Sequence, residues 1–346
     1  MFLKIKNRIE QELSAYIRSM DKTYSLSKLS PLLFNSIKEF ISRDGKRIRP
    51  ILFCIGYLGF SGKAAPGLYR SALSLELLHD FMLVHDDIID RSDMRRGKPS
   101  MHARLNKYFK NTTGIKFNGQ DLAIVIGDVM YALALDAFLA VKEKPERKDL
   151  ALKKLISAAL YTGSGEFIEL LLGEKPIEKI TKNDIYKIYD YKTANYTFAS
   201  PLTMGALLAG AKKDQIKKLF DYGMFLGRAF QIKDDIIGTF GDKSEIGKSN
   251  LTDIGGAKRT LLIWYAYNHC ANIERLAIKK VFSAKMVAKK ELLRIRRILS
   301  DSGSLNYARK EIKTLLNQAN RAIKSLKMVR KSRAALINFS QEILTV

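Results

Sequence analysis

Cysteine is nearly missing from this chain: of 346 residues, only Cys54 and Cys270 carry a thiol. Two thiols so far apart make neither a disulfide framework nor a cysteine-ligated metal site, which points to a reducing compartment and a cytoplasmic protein. Proline (7) and tryptophan (1) are also scarce, and there are 4 histidines. So little proline, with 22 glycines, argues against a fold built on many tight turns. Stretches of alternating apolar and polar residues are few, so little or no sheet is expected. The first dozen residues mix basic, acidic and apolar side chains and lack the continuous apolar core of a secretory signal. The longest uncharged stretch, 193–211, contains Asn195, Pro201 and several hydroxyls. It reads as buried core and not as a membrane span. Acidic residues are the minority, 35 against 60 basic ones, for a net charge of +25. Such a balance favours anionic partners: diphosphates, anionic lipid surfaces or nucleic acid.

Hydrophobic residues make up 47% of the chain, enough for a large core. They recur at i, i+3 and i+4 almost throughout, as in Leu73/Leu77/Leu78/Phe81 and Leu152/Leu155/Ile156. Breakers separate these segments at Asp44-Gly45, Pro66-Gly67, 97–99, Lys144-Pro145, 173–176, 241–250, Gly255-Gly256 and 301–303. The expectation is all-α: ten or more helices, no tandem repeat, and one domain over 1–346. The chemistry-bearing motifs lie in 45–260, and a basic helical subregion occupies 271–346. That last segment holds 18 Lys or Arg against 5 Asp or Glu, about half of the whole surplus.

Two acidic clusters end apolar segments. Asp86, Asp87 and Asp90 follow the run from Leu73 to Val84, with Arg95, Arg96 and Lys98 behind them. Asp234 and Asp235 close a second run, with Lys248, Lys258 and Arg259 behind. On a helix, Asp86 and Asp90 share a face, and Asp87 lies about a quarter-turn away. Two carboxylates at hydrogen-bonding distance repel by roughly 4 kcal/mol at an effective dielectric near 20, so each cluster needs counter-charge. Mg²⁺ suits such a donor set, because it takes one or two carboxylates and completes its shell with waters and phosphate oxygens. A solvated acidic helix end is the plainer alternative. Two clusters, each at the end of an apolar run and each followed by cations, favour metal-assisted diphosphate chemistry.

Seven motifs occur in order: Gly45-Lys46-Arg47-Ile48-Arg49-Pro50, Glu76-Leu77-Leu78-His79, His85 to Asp90, Arg95 to Pro99, Lys192-Thr193-Ala194, Gln231 to Asp235, and Gly247-Lys248 with Asp253, Lys258 and Arg259. Together they resemble the trans-isoprenyl diphosphate synthases, most of all the short-chain archaeal type, over about residues 40–265. The resemblance implies a helical bundle of the isoprenoid synthase type around a central cavity, a homodimer, and two or three Mg²⁺ ions. It implies that Lys46, Arg49, His79 and Arg96 grip isopentenyl diphosphate. Asp86, Asp90 and Asp234 would hold the metals, supported by Asp87 and Asp235. Arg95, Lys192, Thr193, Gln231, Lys248 and Lys258 would surround the allylic diphosphate. Two departures stand out: Gly238 replaces an aspartate common in the wider family, and Glu166 and Glu169 stand where many relatives have Gln and then Asp.

The implied reaction joins isopentenyl diphosphate to dimethylallyl, geranyl or farnesyl diphosphate by ionisation, condensation and elimination. Phe81 and Met82, about one turn before Asp86, would floor the pocket for the growing chain. One aromatic beside a flexible Met predicts a twenty-carbon product, geranylgeranyl diphosphate. Alternatives are a farnesyl diphosphate synthase, a class I terpene cyclase and a non-catalytic subunit of a heteromeric synthase. Both acidic motifs and the Lys46/Arg49/His79 set argue against the last two. The basic C-terminal helices read as a solvated face over core helices or as a peripheral contact with anionic membrane. Nucleic-acid binding is disfavoured, since no reading motif or interleaved aromatics appear.

Overall fold

The computed structural model describes residues 1–95, 97–241, 258–284 and 287–343. Helices dominate, as the apolar periodicity requires. Strand among the described residues is limited to an antiparallel ribbon, β1 (Met94–Arg95) paired with β2 (Lys98–Pro99). The helices are α1 (Phe2–Tyr24), α2 (Leu26–Leu29), α3 (Pro31–Ile41), α4 (Ile48–Ser61), α5 (Leu68–Ile89), α6 (Met101–Tyr108), α7 (Gly119–Phe138), α8 (Pro145–Glu174), α9 (Lys182–Ile188), a π-helix (Tyr189–Ala199), α10 (Ser200–Leu208) and α11 (Lys213–Phe240). Then come α12 (Leu261–His269), α13 (Asn272–Ser283), α14 (Lys289–Asp301), α15 (Ser304–Lys324) and α16 (Arg330–Ile343). Most breakers read from the sequence fall between these elements; those at 242–250 and 255–256 lie outside the described residues.

The chain divides into two compact units, 1–152 with 204–210, and 153–203 with 211–346. In the first, α5 is the central helix. Leu73, Leu75 and Leu77 are fully buried on it, and α4 contributes Ile51, Leu52, Phe53 and Ile55. Each such side chain stabilises the fold by about 1.5–3 kcal/mol relative to exposure. α7 begins at a capping box: Asn118 accepts from the N–H groups of Gln120 and Asp121, and Asp121 accepts from Asn118 N–H. Farther along α7, a Cβ at Gly127 would stand 2.4 Å from His85 Nε2 and 3.3 Å from Phe81. Only glycine lets α7 lie this close to the last turns of α5.

In the second unit α11 is the axis. Gly223 and Gly227, one turn apart, press on Ala199 and Ala194 of the π-helix, where added Cβ atoms would come within 2.5 and 2.4 Å. α15 packs on α11 through Ala308, Ile312, Leu315, Ala319 and Ile323, all buried. The uncharged stretch after Lys192 is buried from Ala194 to Gly205, as expected of core. α8 is long and apolar enough to cross a bilayer by length and composition, with 22% of its apolar window buried; its Glu166 and Glu169 are committed to an ion pair described below. Cys54 is buried and Cys270 partly so.

Candidate active site

Residues of the first unit place one set of predicted groups. α5 runs without interruption into the acidic cluster and ends at Ile89, with Asp90 as its C-cap. Helical rotation gives the three aspartates different environments: Asp87 is buried, Asp86 half-buried and Asp90 exposed. Arg95, presented by β1, supplies the counter-charge. Its Nε and Nη2 donate to Asp87 Oδ1 at 2.8 and 2.6 Å, and Nη2 also reaches Asp86 Oδ2 at 3.1 Å. Burial works against the guanidinium, but the bonds and charge of Asp87 and Asp86 outweigh it and raise its pKa. Arg95 thus stays cationic and fixes the inner aspartate of the cluster.

Lys46 is exposed, and Arg49 and His79 are half-buried. What ties their segments together is Arg47, to which the sequence reading assigned no role. Arg47 has left-handed backbone (φ 50°) and a side chain almost fully buried. Nη1 donates to Glu76 Oε1 at 2.7 Å, Nε to Glu10 Oε1 at 2.8 Å, and Nη2 to the carbonyls of Arg43 and Ile41. Desolvation lowers its pKa, yet Glu76 and Glu10 more than compensate and raise it. Glu76 lies three residues before His79 on α5, so this ion pair joins the Lys46–Arg49 segment to the helix turn that carries His79. Phe81 and Met82 are half-buried. Phe81 packs edge-on against His85, with ring centroids 4.7 Å apart, and beside Tyr131 at 5.4 Å. Arg96 lies outside the described residues.

The second unit brings six predicted residues into one cavity of about 240 Å³: Lys192, Thr193, Gln231, Asp234, Asp235 and Lys258 line it, with Glu169, Tyr189 and Arg259. The π-helix presents Lys192 and Thr193 to it. π-turns are rare and concentrate at functional sites. Across the cavity wall a hydrogen-bond chain runs from Thr193 Oγ1 to Gln231 Oε1 (2.6 Å) and from Gln231 Nε2 to Asp235 Oδ1 (2.9 Å). Tyr189, fully buried, donates to the other oxygen of Asp235 and accepts from the N–H of Leu261 at 3.0 Å. Burial first, and then Asp235, push the Tyr189 phenol well above its ordinary pKa, so it remains a donor. Asp235 is therefore held by two donors inside the wall, whereas Asp234 is exposed.

Lys192 is clasped by two carboxylates of α8, Glu166 at 2.5 Å and Glu169. Neither glutamate was assigned a role from the sequence. Arg259, grouped there with Lys258, differs from it: it is buried and donates to the carbonyls of Gly173 and Lys175 at the end of α8, at 2.7 and 3.1 Å. Orphan carbonyls at a helix C-terminus favour such a cation. Its pKa is lowered by burial, against a pull from Glu174. α11 stays helical through Gly238 to Phe240. Lys248, with Asp242, Gly247 and Asp253, lies outside the described residues.

Among the described residues, no three His, Cys, Asp or Glu side chains form a ready metal cage. The donors present fit Mg²⁺ nonetheless, because they are hard carboxylate oxygens, two of them exposed at Asp90 and Asp234. That ion uses one or two carboxylates and takes the rest of its shell from water and phosphate.

The chain resembles known proteins in both sequence and fold. The family model described as polyprenyl synthetase matches residues 30–299. The geranylgeranyl diphosphate synthase of Sulfolobus acidocaldarius is 30% identical over 280 residues, 80% of this chain and 79% of that protein. The geranylfarnesyl diphosphate synthase of Aeropyrum pernix is 30% identical over 306 residues, 86% of this chain and 89% of its own length. In fold, a crystal structure of geranylgeranyl pyrophosphate synthase from Corynebacterium glutamicum, complexed with isoprenyl diphosphate and magnesium, superposes with a TM-score of 0.90. It is 24% identical and covers 99% of this chain and 98% of its own. The fold is thus the all-α one of the isoprenoid synthases, and the chain belongs to the polyprenyl synthetase family of trans-prenyltransferases.

Proposed function

We propose that the chain condenses isopentenyl diphosphate with dimethylallyl, geranyl and farnesyl diphosphates and releases geranylgeranyl diphosphate. The observation that carries this reading is the cavity of the second unit. There a clasped ammonium (Lys192), a second lysine (Lys258), a fixed hydroxyl–amide–carboxylate chain and an exposed aspartate (Asp234) meet. Cations of this kind hold an allylic diphosphate and stabilise charge that grows on it as it leaves. Mg²⁺ bound at Asp86, Asp90 and Asp234 would supply further Lewis-acid stabilisation of that charge.

The chemistry needs no protein nucleophile. The allylic C1–O bond breaks and the diphosphate departs with the electron pair. The double bond of isopentenyl diphosphate then forms the new C–C bond to C1, and loss of a proton restores an alkene. Lys192 and Lys258, with Arg95 and Lys248, hold the departing diphosphate. The Thr193 and Gln231 oxygens turn negative dipoles toward the allylic cation. Lys46, Arg49, His79 and Arg96 orient isopentenyl diphosphate as charged donors, Arg by its planar fork and Lys as a point charge. Phe81, held by Tyr131 and His85, sets the chain length at twenty carbons.

The stripe Ile156, Leu160, Phe167 and Leu171 on α8 is exposed and supports a homodimer that covers it, which sedimentation would test against a monomer. The two unpaired thiols support a cytoplasmic location. Purified protein with Mg²⁺, labelled isopentenyl diphosphate and each of the three primers should give a twenty-carbon diphosphate by chromatography. A fifteen- or twenty-five-carbon end product removes the length assignment, and no incorporation removes the reaction.

A further inference from the structure

The solvent faces of α13, α14 and α15 are not used by the proposed reaction, and their chemistry differs from that of an ordinary solvated surface. On α15, Arg309, Lys310, Lys313, Arg321 and Lys324 are all exposed. Arg309 and Lys313 are four residues apart, a spacing at which like charges oppose the helix. The one acidic residue of α15, Glu311, does not relieve them. It turns inward to Lys182 at 3.0 Å and Tyr186 at 2.7 Å. α14 buries Ile295, Ile298 and Leu299 on its inner face. Its outer face sets an exposed Leu293 among Lys290, Arg294 and Arg297. α13, which packs on α14, leaves Ile273 70% and Leu276 67% exposed one turn apart. Exposed apolar anchors inside a basic field are the signature of a helix surface that lies in a lipid headgroup region.

We propose that α13, α14 and α15 form a docking surface for anionic lipid bilayers, with Ile273, Leu276 and Leu293 as anchors. Arg297 is paired with Asp301 at 3.5 Å and Lys280 with Glu291 at 3.0 Å, and the negative surface potential of such a bilayer relieves the like-charge crowding of Arg309 and Lys313 on α15. The apolar anchors favour a bilayer over nucleic acid. A nucleic-acid groove would present aromatic faces for stacking, whereas Phe282 is buried and Tyr307 is already stacked on Tyr265 at 4.2 Å and bonded to Lys182. The inference does not rest on the proposed reaction and survives its failure.

Vesicle flotation tests it with the full chain. Vesicles of equal parts phosphatidylcholine and phosphatidylglycerol should carry the protein at low salt and release much of it at high salt; pure phosphatidylcholine should not. Each basic residue at the surface is expected to raise partitioning roughly fivefold. Lys290→Gln/Arg294→Gln/Lys313→Gln should therefore lower it on the order of a hundredfold, and Ile273→Asn/Leu276→Asn should weaken the salt-resistant remainder. A control with the same charge loss elsewhere, Lys107→Gln/Lys110→Gln/Lys116→Gln, should change it far less. No flotation at low salt, equal loss in patch and control variants, or binding to single-stranded RNA in place of vesicles would each overturn the proposal.

Discussion

Removing the Arg47 guanidinium should do more damage than removing almost any other single charge in the first unit. Arg47 and Glu76 are 2% and 3% exposed and paired at 2.7 Å. Arg47→Met leaves Glu76 buried without this partner and strips a donor from the carbonyls of Ile41 and Arg43. Breaking a buried pair from one side costs about 3–5 kcal/mol, out of a total stability of about 5–15 kcal/mol. Glu76→Gln is milder, about 1 kcal/mol, because an amide oxygen still accepts and Glu10 still balances the charge. The double change Arg47→Met/Glu76→Leu replaces the pair with apolar groups, which is often near neutral. It should recover most of the lost stability. It should not recover binding, since the Arg47–Glu76 tie between the Lys46–Arg49 segment and the turn bearing His79 is then gone. Urea unfolding followed by far-UV ellipticity gives the first quantity, and KM for isopentenyl diphosphate the second. If Arg47→Met costs under about 1 kcal/mol, or the double variant regains normal KM, the reasoning fails.

Three further outcomes follow from the same geometry. Glu169→Gln should loosen the clasp on Lys192 and lower kcat by roughly 10–100-fold through misplacement, with KM for isopentenyl diphosphate little changed; a pure KM effect would contradict that role. Phe81→Ala should lengthen the product, as read by chromatography, and an unchanged product would return Phe81 to ordinary packing. Burial raises the pKa of both thiols, most strongly at Cys54, so a thiol reagent at neutral pH should label Cys270 slowly and Cys54 only on unfolding; prompt labelling of Cys54 in the native state would contradict its burial.

Much of this was legible in the chain. Helix content followed from apolar spacing, and the boundaries at Pro145 and near Gly173 from residues that end helices. The six cavity residues of the second unit were legible through the motifs that carry the family resemblance; Thr193 and Gln231 have no charge to mark them. The supporting groups were not. Arg47 looks like one more cation in a basic loop, and only burial distinguishes it from Lys46. Glu166 and Glu169 read as departures from a familiar pattern, although both reach the same lysine. Tyr189 and the π-helix gave no signal, because a π-turn has the composition of any helix and Tyr189's partner is 46 residues away. Motif order marks the groups that line the cavity, while tertiary packing chooses the groups that hold them.

The central claim is that one reaction requires both acidic segments, the end of α5 and that of α11. The direct test is Mg²⁺-dependent incorporation of labelled isopentenyl diphosphate by Asp86→Asn and by Asp234→Asn, each checked for native helical ellipticity. Both should fall on the order of a hundredfold or more. Full activity in either well-folded variant would contradict the account.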